Sequence, residues 1–147
     1  MRKDLIEAID EQFEMVSDAF GGPVKEEEVD QAEQRLGVKL SGAYKEFVRR
    51  YGSGSVGEAI ILGLREAEFV PTPSFVEESI HFRNQLPKDF SDIVVIGVDG
   101  AGNPIGFKSN ESTIFIYDFD FGGRRDVAAS FEDYVEKALN EQLDIQF

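Results

Sequence analysis

The feature that most limits how this chain can fold is a run of three strand-like segments between Ile93 and Asp120, joined by very short turns. Ile93-Val94-Val95-Ile96-Gly97-Val98 is mostly β-branched and bounded by turn residues, the composition of a strand. Asp99-Gly100-Ala101-Gly102-Asn103 turns the chain, its glycines supplying the positive φ of a tight turn. Pro104 to Lys108 forms a second strand, Ser109-Asn110-Glu111 turns again, and Ser112 to Asp120 forms a third. A parallel crossover needs about a dozen residues or more, so these short links predict antiparallel neighbours in a meander.

Upstream, apolar residues recur with a helical period. Leu5, Ile9, Phe13, Val16 and Phe20 predict an amphipathic helix over 2–20, ended by Gly21-Gly22-Pro23. A second helix is expected over 25–36. Glu26, Glu27 and Glu28 sit in its first turn, where the helix dipole favours negative charge; Val29, Ala32 and Leu36 form its buried stripe. Gly37 then suits a left-handed C-terminal cap. Ser41 is the expected N-cap of a third helix with Tyr44, Phe47, Val48 and Tyr51 on one face and Gly52 at its end.

Ala59-Ile60-Ile61-Leu62 reads as a short strand, and Pro71 and Pro73 punctuate the next stretch of chain. Ser74 caps a helix predicted through Leu86, with Phe75, Val76, Ile80, Phe82 and Leu86 as buried contacts. Ser130 caps a closing helix, and Asp133 completes a capping box with Asp in place of Glu. The expected fold is therefore α+β: a single domain over 1–147, an antiparallel or mixed β-sheet flanked by helices.

Composition narrows the function. There are 29 acidic against 15 basic side chains, a net charge of -14. Phosphate backbones and anionic membrane surfaces are bound by Lys and Arg, so neither nucleic acid nor membrane is an expected partner. No cysteine and a single histidine, His81, leave no thiolate or two-histidine metal site. Aromatic residues make up 12%, which suits a folded chain rather than an acidic disordered one. The acidic N-terminal stretch lacks the apolar core of a signal peptide, which points to the cytoplasm.

Short motifs add little chemistry. Gly52-Ser53-Gly54-Ser55-Val56-Gly57 has the GxGxxG spacing, but it follows a helix and precedes a strand, the reverse of a dinucleotide-binding loop, so it reads as a flexible connector. Asp120-Phe121-Gly122 matches the kinase metal triplet without the other kinase elements. Asp118 and Asp120 lie two apart, hence on one face of an extended strand; such a pair can hold a hard divalent cation, but the preferred reading is a strand end entering solvent. No cofactor or metal is expected. Phe115, Tyr117, Phe119 and Phe121 alternate with Ile114 and Ile116, so the four aromatics are expected on one side. That side is either core under the helices or, in part, an open aromatic patch beside acids, as at protein interfaces.

Taken in order, these blocks resemble the SUKH superfamily, which includes a fungal cell-wall synthesis regulator and many bacterial immunity proteins. Ala32-Glu33-Gln34-Arg35-Leu36-Gly37 followed by Leu40, Tyr44 and Phe47 resembles its opening block. Ile96-Gly97-Val98-Asp99-Gly100-Ala101-Gly102-Asn103 resembles its hairpin, Ile116-Tyr117-Asp118 the next strand, and Ala128-Ala129-Ser130-Phe131 the entry to its final helix. The resemblance covers residues 25–143, with 1–24 forming an additional N-terminal helix and turn. Ser41 stands where the superfamily usually has Pro, and Tyr51 where it often has Asn.

The resemblance implies a non-enzymatic binding role, since bacterial relatives typically neutralise a cognate toxin, often a nuclease. The acidic charge agrees: nuclease sites are basic, and complementary charge speeds capture. The expected partner is a toxin domain with a basic surface. The alternatives are a regulatory interaction module of a cell-wall or signalling pathway, and a metal-dependent enzyme working through Asp118 and Asp120. Expected partner contacts are Glu66 and Glu68 before the proline turn, and Asp118, Asp120 and Asp126 around the exit of the last strand.

Overall fold

Three helices precede the first sheet strands, as the periodicity predicts, but the first is shorter than expected. In this computed structural model, which describes residues 1–68 and 73–147, α1 spans Lys3–Met15. Val16 leaves helical geometry at φ -139°, a 3-10 turn covers Ser17–Ala19, and Phe20 is extended. Phe20 does not continue the helical stripe; it forms an isolated antiparallel bridge with Gly54 and packs its ring 5.2 Å from Phe13 and 5.9 Å from Tyr51. Val16 is exposed as a result.

α2 spans Glu26–Leu36 and ends in Gly37 at φ 66°, the left-handed cap expected there. α3 spans Gly42–Tyr51, with the Ser41 hydroxyl accepting the Tyr44 N–H at 3.3 Å. The Gly/Ser segment after α3 is no flexible connector. It contains β1 (Gly54–Val56), which pairs antiparallel with β2 (Ala59–Ile61). Its glycines allow close approach: a Cβ on Gly54 would enter the Phe20 ring.

α4 spans Phe75–Arg83, shorter than predicted. Ile80 faces solvent, and Ser79 takes the buried position instead. The Ser79 hydroxyl accepts the Val95 N–H at 2.8 Å, which satisfies a strand amide from within the core. Pro71, expected as punctuation, lies outside the described residues.

The meander is present, with one strand more than expected. β3 (Val94–Val98), β4 (Pro104–Phe107), β5 (Ile114–Asp118) and β6 (Gly123–Ala128) form an antiparallel sheet in sequential order. β6, Gly-Arg-Arg-Asp-Val-Ala, lacks strand-forming composition and is stabilised by pairing with β5. Leu62 just after β2 donates its N–H to the Ile96 carbonyl at 2.8 Å, tying the small sheet to the large one.

Both faces of the large sheet are covered. Ile105, Phe107, Ile114 and Ile116 are buried, and Phe107 lies 6.1 Å from Tyr44 of α3. Phe115 and Tyr117 lie on the other face, where Phe90 packs 5.6 Å and 5.1 Å from them. The closing helix α5 (Phe131–Leu139) adds Phe131, 5.2 Å from Tyr44 and 5.7 Å from Phe47. The result is one α+β domain with an antiparallel sheet between helices. Among the described residues no helix is long and apolar enough to cross a membrane.

Candidate functional site

β5 ends at Asp118, two residues before the sequence pattern suggests, and that early ending shapes the surface at this end of the sheet. The chain reverses through Phe119-Asp120-Phe121-Gly122 into β6. Asp118 organises this turn. Its Oδ1 accepts the N–H groups of Asp120 at 2.9 Å and Phe121 at 3.1 Å, and its carbonyl accepts that of Gly122 at 2.7 Å. Gly122 sits at φ 76°, a conformation glycine adopts without strain. Asp118 and Asp120 are therefore not a same-face pair on an extended strand, as expected, since Asp120 lies in the turn.

The four alternating aromatics separate for the same reason. Phe115 and Tyr117 are buried, whereas Phe119 is 42% and Phe121 80% exposed. Phe119 stacks against Phe82 at 6.3 Å and meets Tyr117 edge-on at 5.4 Å, so one side of it is anchored to the core. Phe121 projects into solvent.

Beside this turn lies a groove of about 530 Å³, lined by Asp99, Asn103, Asp118, Asp120, Arg125, Asp144 and the last residues of the chain. The β3–β4 turn forms one wall. Asp99 Oδ1 accepts the N–H groups of Ala101 at 3.0 Å and Asn103 at 2.8 Å. Asn103 in turn accepts the Phe119 N–H at 3.0 Å, which locks the two turns together. The C-terminal segment forms the other wall, held by Gly100 N–H donating to the Gln146 carbonyl at 2.7 Å. Four aspartates and one cation, Arg125, thus line the groove, and Arg125 Nη2 donates to the Asp144 backbone carbonyl at 3.5 Å. The sequence pattern points to Asp118 and Asp120 as contacts but not to Asp99, Asp144 or Arg125. The turn motif at Asp99 was legible; the return of the C-terminal segment to meet it was not.

The five acids singled out from sequence do not form one cluster. Asp118 and Asp120 line the groove. Asp126 lies opposite Phe115 in the β5–β6 pairing, on the other face of the sheet. Its Oδ1 accepts the Arg124 Nε–H at 2.9 Å, and the Arg124 guanidinium lies 4.3 Å from the Phe115 ring centroid, a cation–π contact. Glu66 and Glu68 are exposed on the segment after β2, next to Arg65, whose Nη2 donates to Glu28 at 2.7 Å. Neither glutamate lines the groove. Among the described residues no three acidic or histidine side chains converge so as to hold a metal ion.

The sequence pattern of the SMI1 / KNR4 family (SUKH-1) matches residues 23–137. The chain belongs to this family. No curated relative matches it. The match leaves α1 and the C-terminal segment outside, so the groove combines SMI1 / KNR4 residues with a wall supplied by Asp144 to Phe147.

The blocks that carry the family resemblance have mainly structural work in this chain. Glu33 Oε2 accepts the Leu40 N–H at 2.8 Å, while Oε1 lies 3.2 Å from Lys45 Nζ, fixing the link between α2 and α3. Ser41, in place of the family's usual Pro, starts α3 by capping it. Tyr51, in place of Asn, reaches outside the family-matched segment: its hydroxyl donates to Asp10 Oδ1 of α1 at 2.7 Å. The Tyr51 phenol is held protonated well above its usual range, by burial first and then by this hydrogen bond to a carboxylate. That departure from the family pattern fastens the additional helix to the core.

Proposed function

We propose that this SMI1 / KNR4 family chain is a cytoplasmic immunity-type protein that binds and blocks a toxin domain with a basic surface, a nuclease in the simplest case. It acts by occupying that surface rather than by catalysis. The observation that carries the reading is the groove lined by Asp99, Asp118, Asp120 and Asp144 with one arginine, Arg125. The net charge of -14 extends this field over the whole molecule. A field of this sign attracts the cationic surfaces that nucleases use to hold phosphate, and it raises association rates by about 10–10³-fold.

The test is to search the neighbouring genes for a toxin domain, purify it, and follow its association by stopped-flow fluorescence at rising salt. The rate constant is expected to fall steeply with ionic strength, and Asp120→Lys with Asp144→Lys should lower it and flatten that slope. Asp118 is a poor charge probe because its carboxylate also builds the turn. No association at low salt, or association indifferent to both salt and the paired reversal, would sink the proposal.

A further inference from the structure

We infer that Phe121 is the anchor of the partner interface: an aromatic side chain presented by a fixed turn and inserted into an apolar pocket ringed by Lys or Arg on a basic protein. This rests on the binding reading above and adds to it a contact residue and the chemistry of the surface that receives it.

Burying an aromatic side chain is among the larger single gains open to a protein, yet Phe121 is 80% exposed. It is also not free to fold back at will. Its own N–H is held by Asp118 Oδ1 at 3.1 Å, the flanking Asp120 and Gly122 amides are held by the same residue, and Phe119 before it is tied to Asn103 and stacked on Phe82. The backbone that presents the ring is therefore ordered before any partner arrives, which lowers the entropy lost on binding. Aromatic anchors surrounded by polar residues are the usual energetic centre of an interface.

The surroundings choose the occupant. Asp118 and Asp120 precede the ring in sequence, and the groove beside the turn adds Asp99 and Asp144; of the two arginines that follow Gly122-Gly123, Arg124 is neutralised by Glu111 and Asp126, which leaves Arg125 against the four aspartates. A second copy of this chain would bring a charge of -14 against -14 and its own acids against these. A neutral apolar surface would leave the acids desolvated without partners. A cationic surface with an apolar pocket satisfies both the ring and its acidic flank.

Asp118 is then a positioning residue, acting through the turn as well as through its charge. Asp118→Asn retains an oxygen that accepts the two turn amides, while Asp118→Ala removes it.

The test places the photocrosslinking residue p-benzoylphenylalanine at position 121, and in parallel at Met15, Gln31 and Glu68, in cells that make the natural partner. The adduct at 121 is identified by mass spectrometry and the captured protein is then purified for titration. The expected result is one adduct, strongest at 121, with a protein of basic isoelectric point, above about 9. Phe121→Ala should weaken its binding by about thirty-fold, with Phe121→Trp retaining most of it. Asp118→Ala should weaken binding and speed amide exchange at Phe121, and Asp118→Asn should restore slow exchange. An adduct with a second copy, an adduct with an acidic or neutral protein, or no adduct at 121 above that at Gln31 overturns the inference. A basic captured protein that is no toxin would end the immunity reading and leave the anchor standing. A toxin captured at Met15 or Glu68 instead would do the reverse.

Discussion

The side-chain oxygen of Asn103 accepts the backbone N–H of Phe119 at 3.0 Å, and so joins the β3–β4 turn to the β5–β6 turn across the end of the sheet. The Asn103 amide nitrogen donates to Asp99 Oδ2 at 3.2 Å, and the residue is buried. Asn103→Ala removes both bonds and should cost about 1–2 kcal/mol. Asn103→Asp keeps an acceptor for Phe119 but opposes Asp99 with a second negative charge, so it should not rescue stability near neutral pH. Urea unfolding gives the stability, and amide exchange at Phe119 reports the local loss.

Ser79 is a polar residue in an apolar setting, fully buried with its hydroxyl on the Val95 amide. Val95 borders an irregularity in the β3–β4 register, between Val95 and Gly97. Ser79→Ala leaves that amide unpaired in the core and should destabilise by about 1–3 kcal/mol. A loss below the resolution of a urea melt would mean that the bend recovers its hydrogen bond elsewhere.

Two glycines predict losses of different origin and size. A Cβ on Gly63 would overlap the Gly52 carbonyl oxygen, which already accepts the Leu64 N–H at 2.7 Å. Gly63→Ala must push two backbones apart and should cost about 3 kcal/mol or prevent folding. Gly122 has open space around it but a φ of 76°, so Gly122→Ala meets only backbone strain, about 1–2 kcal/mol. Thermal melts of the pair should rank Gly63→Ala as the more damaging.

These residues also show what the sequence made legible. Helix stops at Gly37 and Gly52 and starts at Ser41, Ser74 and Ser130 follow from local chemistry, and all are present. The β3–β5 meander follows from loop length. What stayed hidden depends on distant partners. Phe20 satisfies a helical period but is bound by Gly54, and Ile80 gives its buried position to Ser79 because Val95 needs an acceptor. β6 carries two arginines and an aspartate and becomes a strand only against β5. At the candidate site, the residues of the turn could be read one by one. The groove could not, because Asp144 is brought to Asp99 by a chain segment with no periodic signal.

The Tyr51 hydroxyl links α1 to the family core through Asp10, beside a second link in which Gln12 Oε1 accepts the Gly57 N–H at 3.1 Å. Tyr51→Phe keeps the ring contacts with Phe13, Phe20 and Phe47 but drops the bond to Asp10. The expected cost is about 1 kcal/mol, concentrated in α1. Hydrogen exchange should accelerate over Lys3–Met15 while β3–β5 keep their protection. Uniform acceleration would show instead that α1 unfolds only with the whole domain.

Acid should lower stability through carboxylates that are hydrogen-bonded in the fold, and Asp133 at the start of α5 is one of them. The Asp133 carboxylate accepts the Ala129 N–H at 2.9 Å and lies 3.1 Å from Lys137 Nζ, while its own N–H donates to Ser130 Oγ at 3.1 Å. The expected capping box is thus formed with a shift: the shorter Asp side chain reaches Ala129 rather than Ser130. The Ala129 hydrogen bond, with Lys137 second, holds the Asp133 pKa below its ordinary 3.8. A lowered folded-state pKa stabilises fully above the unfolded value, and that contribution is lost as pH falls through the folded one. Asp133→Asn keeps an acceptor for Ala129 but removes the titration. It should cost about 0.5–1 kcal/mol at neutral pH and nothing in strong acid, so the two stability curves converge below pH 3.8. Urea midpoints measured from about pH 7 to about pH 2 test this. Parallel curves over the whole range would show that the carboxylate charge at Asp133 contributes nothing to holding α5.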